Sequence, residues 1–248
     1  MTAPRRHCTT ISWSETPHLD EKTKAELLAS MPPHMRDART KGIPMLGAGA
    51  IYPLPEAAYV CEPFEIPAFW PRAYGMDVGW NRTAAVWGAW DRQSDVVYIW
   101  SEYYVGQAVP AVHVAGIAAR GPWMMGAIDP ASAGSNQKDG TKLIEEYQAL
   151  GLNLFPADNA VEAGIHACYQ RMATGRLKVF KTCRALISEI RIYRRDESGK
   201  IVKENDHACD SLRYLIFSGM RHASVEPREE EEWEASNTRQ SRSSITGY

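Results

Sequence analysis

Arg72-Ala73-Tyr74-Gly75-Met76-Asp77-Val78-Gly79-Trp80 is the stretch that decides the fold. It reads as a buried strand with one carboxylate near its end and a tight turn at Gly79. Residues 83–90 are apolar and rich in β-formers, Asp91-Arg92-Gln93-Ser94 is a polar turn, and residues 95–105 repeat the pattern. Three such runs joined by short turns predict an antiparallel meander. A charge in a buried strand is costly unless something pairs with it. Asp77 is therefore a metal ligand, a salt-bridged core acid or a strand-end cap.

Downstream of the meander, helices are predicted over 108–119, 141–150, 161–172, 183–190 and 206–220, with short strands at 123–130, 152–156 and 177–180. Segments 190–195 and 200–203 flank Asp196-Glu197-Ser198-Gly199, a hairpin turn. Alternating helices and strands after a meander predict an α/β domain with a mixed sheet over 73–222. Sites in such sheets gather at the carboxyl ends of neighbouring strands. Asp77 ends one strand, and Asp129, in Ala127-Ile128-Asp129-Pro130, ends another.

Residues 1–72 differ in composition. An amphipathic helix is predicted from Asp20 to Met31, stopped by Pro32-Pro33. Residues 42–71 are dense in Gly and Pro with little periodicity, as in an extended arm or linker. Residues 223–248 turn acidic, then Ser- and Arg-rich, and predict a disordered tail.

The 248 residues suffice for one large domain with appendages, and a net charge of −2 argues against a uniformly basic nucleic-acid binder. A local basic patch remains compatible with nucleic acid. The five cysteines form no Cys-x-x-Cys pair, against a zinc ribbon or a disulfide framework, and predict a reduced, intracellular protein. Met1-Thr2-Ala3-Pro4-Arg5-Arg6-His7 lacks the apolar run of a signal peptide, and no segment is apolar enough to span a membrane.

The third acidic element is Asp206-His207-Ala208-Cys209-Asp210-Ser211-Leu212-Arg213-Tyr214. On a helix, His207 and Asp206 share a face with Asp210. Asp206 lies at the helix start and reads first as an N-cap. Asp210 lies inside the helix, where an acid has no capping reason to be. Converging carboxylates repel unless protonated or neutralised by a cation. Oxygen-only ligands suit Mg²⁺ or Mn²⁺, and two such ions serve phosphodiester hydrolysis. His207 would orient water, shuttle a proton, bind metal or support Asp210.

Together, Gly75-Met76-Asp77-Val78-Gly79, Ala127-Ile128-Asp129-Pro130 and the 206–214 segment resemble the nuclease domain of tailed-phage terminase large subunits. The resemblance covers about residues 73–222. It implies an RNase H-like fold, with a mixed sheet of the five-stranded type flanked by helices. It also implies a metal-dependent endonuclease that cuts double-stranded DNA during genome packaging. Asp77, Asp129 and Asp210 would be the metal-binding triad, holding two Mg²⁺ or Mn²⁺ ions, with His207 an auxiliary catalytic residue. The implied partners are DNA, a portal protein and the terminase small subunit, and the implied location is the cytoplasm of the infected bacterial host.

Ile11-Ser12-Trp13-Ser14-Glu15-Thr16-Pro17-His18-Leu19 and residues 32–53 resemble the end of the terminase ATPase domain and its linker. The chain has no Gly-x-x-x-x-Gly-Lys-Ser/Thr phosphate loop, so ATPase activity is not carried over. Either this is a piece of a longer ATPase–nuclease, or the ATPase is a separate polypeptide. Basic residues between Arg171 and Lys203 are placed near the acids, with Arg194, Arg195, Lys200 and Lys203 as a sequence-independent phosphate track. The alternatives are a junction-resolving nuclease of the same fold and a non-catalytic DNA-binding or assembly module.

Overall fold

The computed structural model describes residues 12–13, 20–30, 40, 49–134 and 142–227. Seven strands are described: β1 (Val60–Cys61), β2 (Arg72–Asp77), β3 (Thr83–Asp91), β4 (Val96–Val105), β5 (Met125–Ile128), β6 (Asn153–Pro156) and β7 (Leu177–Phe180). The described helices are α1 (Glu21–Ser30), α2 (Glu56–Tyr59), α3 (Pro110–Ala118), α4 (Leu143–Ala149), α5 (Val161–Ala173), α6 (Arg184–Ile192) and α7 (His207–Phe217). The sheet order is β1-β7-β4-β3-β2-β5-β6. The β2-β3-β4 meander is antiparallel, and the remaining pairs are parallel.

β3 is central, and its first seven residues are all buried. A strand covered on both faces needs apolar or small side chains at successive positions, which Ala84, Ala85, Val86 and Trp87 supply. Side-chain alternation sorts neighbours into two cores. Ala73, Ala84 and Val86 join Ile165, Leu186 and Leu212 from α5, α6 and α7. Tyr74, Met76, Ala85 and Trp87 join Val114, Ile117, Ile144 and Tyr147 from α3 and α4. The result is a sheet between two helical layers.

The closest approach is between α7 and β2. A Cβ on Gly75 would stand 2.0 Å from the Ser211 carbonyl oxygen and 2.7 Å from the Leu215 nitrogen. Only a residue without a side chain lets the helix backbone lie on the strand backbone. Leu212 and Leu215 are fully buried beside this crossing. The Ser211 hydroxyl accepts from the Asp77 N–H at 3.1 Å and faces the carbonyls of Ala84 (3.1 Å) and His207 (2.8 Å).

The five-stranded type is present as β4-β3-β2-β5-β6, and β7 and β1 extend the β4 edge. β1 comes from the stretch read as an arm. Ile51, Tyr52 and Tyr59 from the same stretch are buried in the core. The composition misleads because its Gly and Pro residues punctuate short elements instead of loosening them. The helix expected over 183–190 continues to Ile192, so the first flank of the hairpin is shorter than predicted. The hairpin itself is small: Arg195 bridges Ile201, and Gly199 takes a left-handed φ of 82° at its turn. On its other side, Arg195 N donates to Gly49 O and Ile51 N donates to Tyr193 O. The predicted tail beyond 227 and, of residues 1–72, positions 1–11, 14–19, 31–39 and 41–48 lie outside the described residues.

Gly75→Ala is expected to lower unfolding free energy by about 3 kcal/mol or more, because backbone cannot yield as a side chain would. Gly199→Ala, with open space around it but a positive φ, is expected to cost about 1 kcal/mol. Urea unfolding of both variants measures the difference. Equal losses would refute the close-crossing account.

Candidate active site

Strand register alone brings two of the sequence-picked acids together. β2 and β5 are parallel, with Met76 opposite Ile128, and Asp129 N donates to Met76 O at 2.9 Å. Asp77 and Asp129 thus leave the same end of adjacent strands. Alternation puts Asp77 on the side of Ala73 and Gly75, the face that α7 covers. Its carboxylate meets the ring of His207, Nδ1 to Oδ2, at 2.8 Å. On the same face, Tyr214 donates its hydroxyl to Asp129 Oδ1 at 3.1 Å. Asp210 lies between His207 and Tyr214 on α7.

Each acid has partners of its own. Asp210 receives Lys203 Nζ at 3.0 Å on one oxygen and the Arg213 guanidinium at 3.0 Å on the other. Lys203 also reaches Asp206 at 3.1 Å. Asp129 accepts from Ala131 N at 3.1 Å, capping a short 3-10 turn (Pro130–Ala133). Burial pushes the Asp77 carboxyl above its ordinary range. The His207 hydrogen bond opposes that shift, and the nearby Asp210 and Asp129 charges reinforce it. His207 is raised in turn, chiefly by its bond to Asp77. Burial alone would lower Lys203, but Asp210 and Asp206 outweigh it and hold the ammonium above its usual value.

The N-terminus of α7 is fixed by a residue that sequence reasoning missed. Asp206 precedes the helix but makes no side-chain cap. The cap is Glu189 of α6, whose Oε2 accepts from Ala208 N at 2.6 Å and Cys209 N at 3.0 Å. Its other oxygen accepts from the Tyr104 hydroxyl at 2.6 Å. Glu189 is only 3% exposed, and burial raises its carboxyl. The signal was available: an acid between Ile187 and Ile190 stands on the apolar side of an amphipathic helix. Glu102 of β4 caps α6 in the same way, accepting from Ala185 N and Leu186 N at 3.0 and 2.9 Å.

The basic residues are dispersed. Arg171 and Arg176 pair with Asp95 in the β3–β4 turn, at the opposite end of the sheet from Asp77. Lys181 pairs with Glu62, Arg191 with Glu56, and Arg195 with Glu162. Lys203 belongs to the acidic cluster. Of the four residues placed on the phosphate track, Arg194 and Lys200 alone have no carboxylate partner among the described residues.

The donor chemistry at this edge is oxygen from Asp77, Asp129 and Asp210, which suits a hard divalent cation. As the side chains stand, no three described His, Cys, Asp or Glu groups are placed to hold one ion. Asp210 is turned to Lys203 and Arg213 while Asp77 is turned to His207. Lys203 is 59% exposed along its side chain, so its ammonium is open to solvent, whereas Asp210 at 10% is held from inside by Arg213.

Residues 74–218 match the family described as the Terminase RNaseH-like domain. The chain belongs to this terminase family. A curated terminase large subunit of Enterobacteria phage LP7 is 35% identical over 220 residues, covering 82% of this chain and 45% of that protein. The chain thus spans about half the length of that relative. The solved large terminase nuclease domain of P22 is 31% identical with a TM-score of 0.66, covering 72% of this chain and 96% of that one. The large terminase nuclease of the thermophilic phage G20c, solved with bound magnesium, has a TM-score of 0.52 at 19% identity, covering 70% and 98%. At that identity it bears on the fold alone. The RNase H-like fold of this chain rests on these matches together with its sheet order.

Glu189→Ala is expected to cost about 3 kcal/mol, since it leaves two helix N–H groups and a tyrosine hydroxyl without their acceptor. Glu189→Gln keeps one acceptor oxygen and is expected to lose about half as much. Chemical denaturation of the two variants measures this. A loss under about 1 kcal/mol for Glu189→Ala would remove Glu189 as the cap of α7.

Proposed function

We propose that this chain is a metal-dependent endonuclease domain that hydrolyses DNA phosphodiester bonds in phage genome packaging. The observation that carries this reading is the meeting of Asp77 and Asp129, at the ends of adjacent parallel strands, with the helix that bears His207 and Asp210. Family membership and the likeness to the P22 nuclease domain support it. Asp77, Asp129 and Asp210 would hold Mg²⁺ or Mn²⁺, the hard cations that an all-carboxylate donor set suits. Two such ions supply an acidified water and charge neutralisation at the leaving oxygen.

The chain's own groups do the rest. Asp77 accepts from His207 Nδ1, which leaves Nε2 of the ring to orient water or carry a proton. Tyr214 and the Ala131 N–H hold Asp129 in place from two directions. Arg213, 2% exposed, holds Asp210 from inside the fold. Arg194 and Lys200 would neutralise phosphates without reading sequence. By family, the partners would be double-stranded DNA, a portal protein and the terminase small subunit, in the cytoplasm of an infected bacterium. ATPase activity forms no part of this proposal.

Asp77→Asn, Asp129→Asn and Asp210→Asn are each expected to abolish nicking of supercoiled plasmid in Mn²⁺ while duplex binding survives. His207→Ala should lower the rate roughly 10- to 100-fold. Thermal melts establish that each variant is folded. A folded Asp77→Asn that nicks like the parent would sink the metal-site assignment, and a parent that does not nick at all would leave the non-catalytic module as the better reading.

Replacing Arg194 and Lys200 together should flatten the salt dependence of duplex binding by up to about 0.9 per lost phosphate contact. Arg195→Ala should change it less, because Glu162 already holds that guanidinium. Binding isotherms across a salt series measure the slope. An unchanged slope in the double variant would place the hairpin away from DNA.

A further inference from the structure

We infer that Trp80 is a DNA contact that packs against the nucleotides flanking the cut. This rests on the nuclease reading of the acidic edge. Trp80 lies three residues beyond Asp77, in the connection from β2 to β3, and is 69% exposed. A single exposed apolar residue is ordinary on a protein surface. Trp80 differs in how its loop is held and in where it stands.

The backbone beneath it is pinned. Gln107 N donates to Trp80 O at 2.8 Å, from a residue with a left-handed φ of 53°. A non-glycine residue in that conformation is strained and is kept there only by its surroundings. Thr83 Oγ1 donates to Gly79 O at 3.2 Å. The chain passes so close at Gly106 that a Cβ there would stand 2.1 Å from Asn81 O. The loop is thus fixed on both sides of Trp80 while the indole itself faces solvent. An indole meant for the core would have been drawn inward, as Trp87 is at 0% exposure.

The position suits a nucleic acid. Three residues span at most ~11 Å, about three base-pair steps of 3.4 Å. The backbone of Trp80 therefore lies within that reach of the strand end that carries Asp77. Arg82, two residues further on, has its guanidinium 4.6 Å above the Tyr104 ring and no carboxylate partner among the described residues. An exposed indole two residues from a cation with no carboxylate partner among the described residues offers both an apolar face for a base or sugar and a charge for a phosphate. Aromatic side chains in such positions bind without sequence preference, because every base presents a π-face. The chemistry required is the apolar face of a nucleotide, offered by an unpaired base or by a deoxyribose edge in a duplex.

The test uses the full chain with Trp80→Ala and Trp80→Phe. Binding is measured in EDTA to a paired duplex and to the same duplex with a central unpaired bubble. Trp80→Ala should weaken binding roughly 5- to 100-fold on at least one substrate. Trp80→Phe should recover most of that loss, and the salt slope should stay at the parent's value because the contact is not ionic. Loss on the bubble alone assigns base stacking; loss on both assigns packing against the sugar edge. Thermal melts should be unchanged, as the side chain is exposed. Parent-like binding by Trp80→Ala on both substrates, or a loss that comes with a flatter salt slope, would overturn the inference. Plasmid nicking by the parent in Mn²⁺ keeps the two readings apart. A parent that cuts while Trp80→Ala binds and cuts equally well sinks only the Trp80 contact. A parent that never cuts, paired with the binding loss, sinks the nuclease reading and leaves Trp80 as a DNA contact without a cut to flank.

Discussion

The backbone of α7 rests on the backbone of β2 at Gly75, and that contact leaves the helix no freedom to slide. A side chain between them would push the two elements apart. Without one, the Ser211 hydroxyl reaches the Asp77 N–H and ties the helix to the strand at the residue that ends it. Everything at the acidic edge inherits this registration. His207 lies one helical turn before Ser211 and meets Asp77; Tyr214 lies nearly one turn after it and meets Asp129. A shift of one residue along α7 would rotate both away from the strand ends.

Carboxylates at this end of the fold serve two ends, and partners rather than residue type decide which. Glu102 and Glu189 are used as caps. Glu102 with both oxygens and Glu189 with one accept from the N–H groups that open a helix, where the helix dipole also favours negative charge. β4 thereby steadies α6 through Glu102, and α6 steadies α7 through Glu189, with Tyr104 of β4 closing the chain of contacts. Asp77, Asp129 and Asp210 remain within one another's field, and their compensation comes from Lys203, Arg213 and a histidine. Those partners neutralise without filling every lone pair, which is the condition for an additional cation to compete.

Much of this was legible in the residues. Apolar runs joined by short turns gave the antiparallel meander, and Asp77 and Asp129 were read at the ends of two strands, where the structure has them. Asp210 stood out because it has no local reason to lie inside a helix. What escaped was long-range. Asp206 has the composition and position of an N-cap, yet a buried acid from α6, far away in sequence, does that work. The stretch before β2 looked like linker because Gly and Pro weaken periodicity whether or not the segment packs. Basic residues between Arg171 and Lys203 are neighbours in sequence but not in space. Arg171 and Arg176 fold to the far end of the sheet, where Asp95 holds them.

The lacing of residues 49–51 onto 193–195 bears on how the protein can be trimmed. By composition, residue 73 looks like a natural place to start a minimal fragment. Such a cut would remove Ile51, Tyr52 and Tyr59 from the core and strip β7 of its outer neighbour. It would also take away the backbone groups of Gly49 and Ile51 that hold Tyr193 and Arg195. The hairpin bearing Arg194, Lys200 and Lys203 would lose the support on its outer side, and with it the geometry of the ammonium that sits against Asp210. A shortened gene product beginning at 73 would therefore report on a damaged acidic edge, whereas one beginning ahead of Gly49 retains these particular contacts.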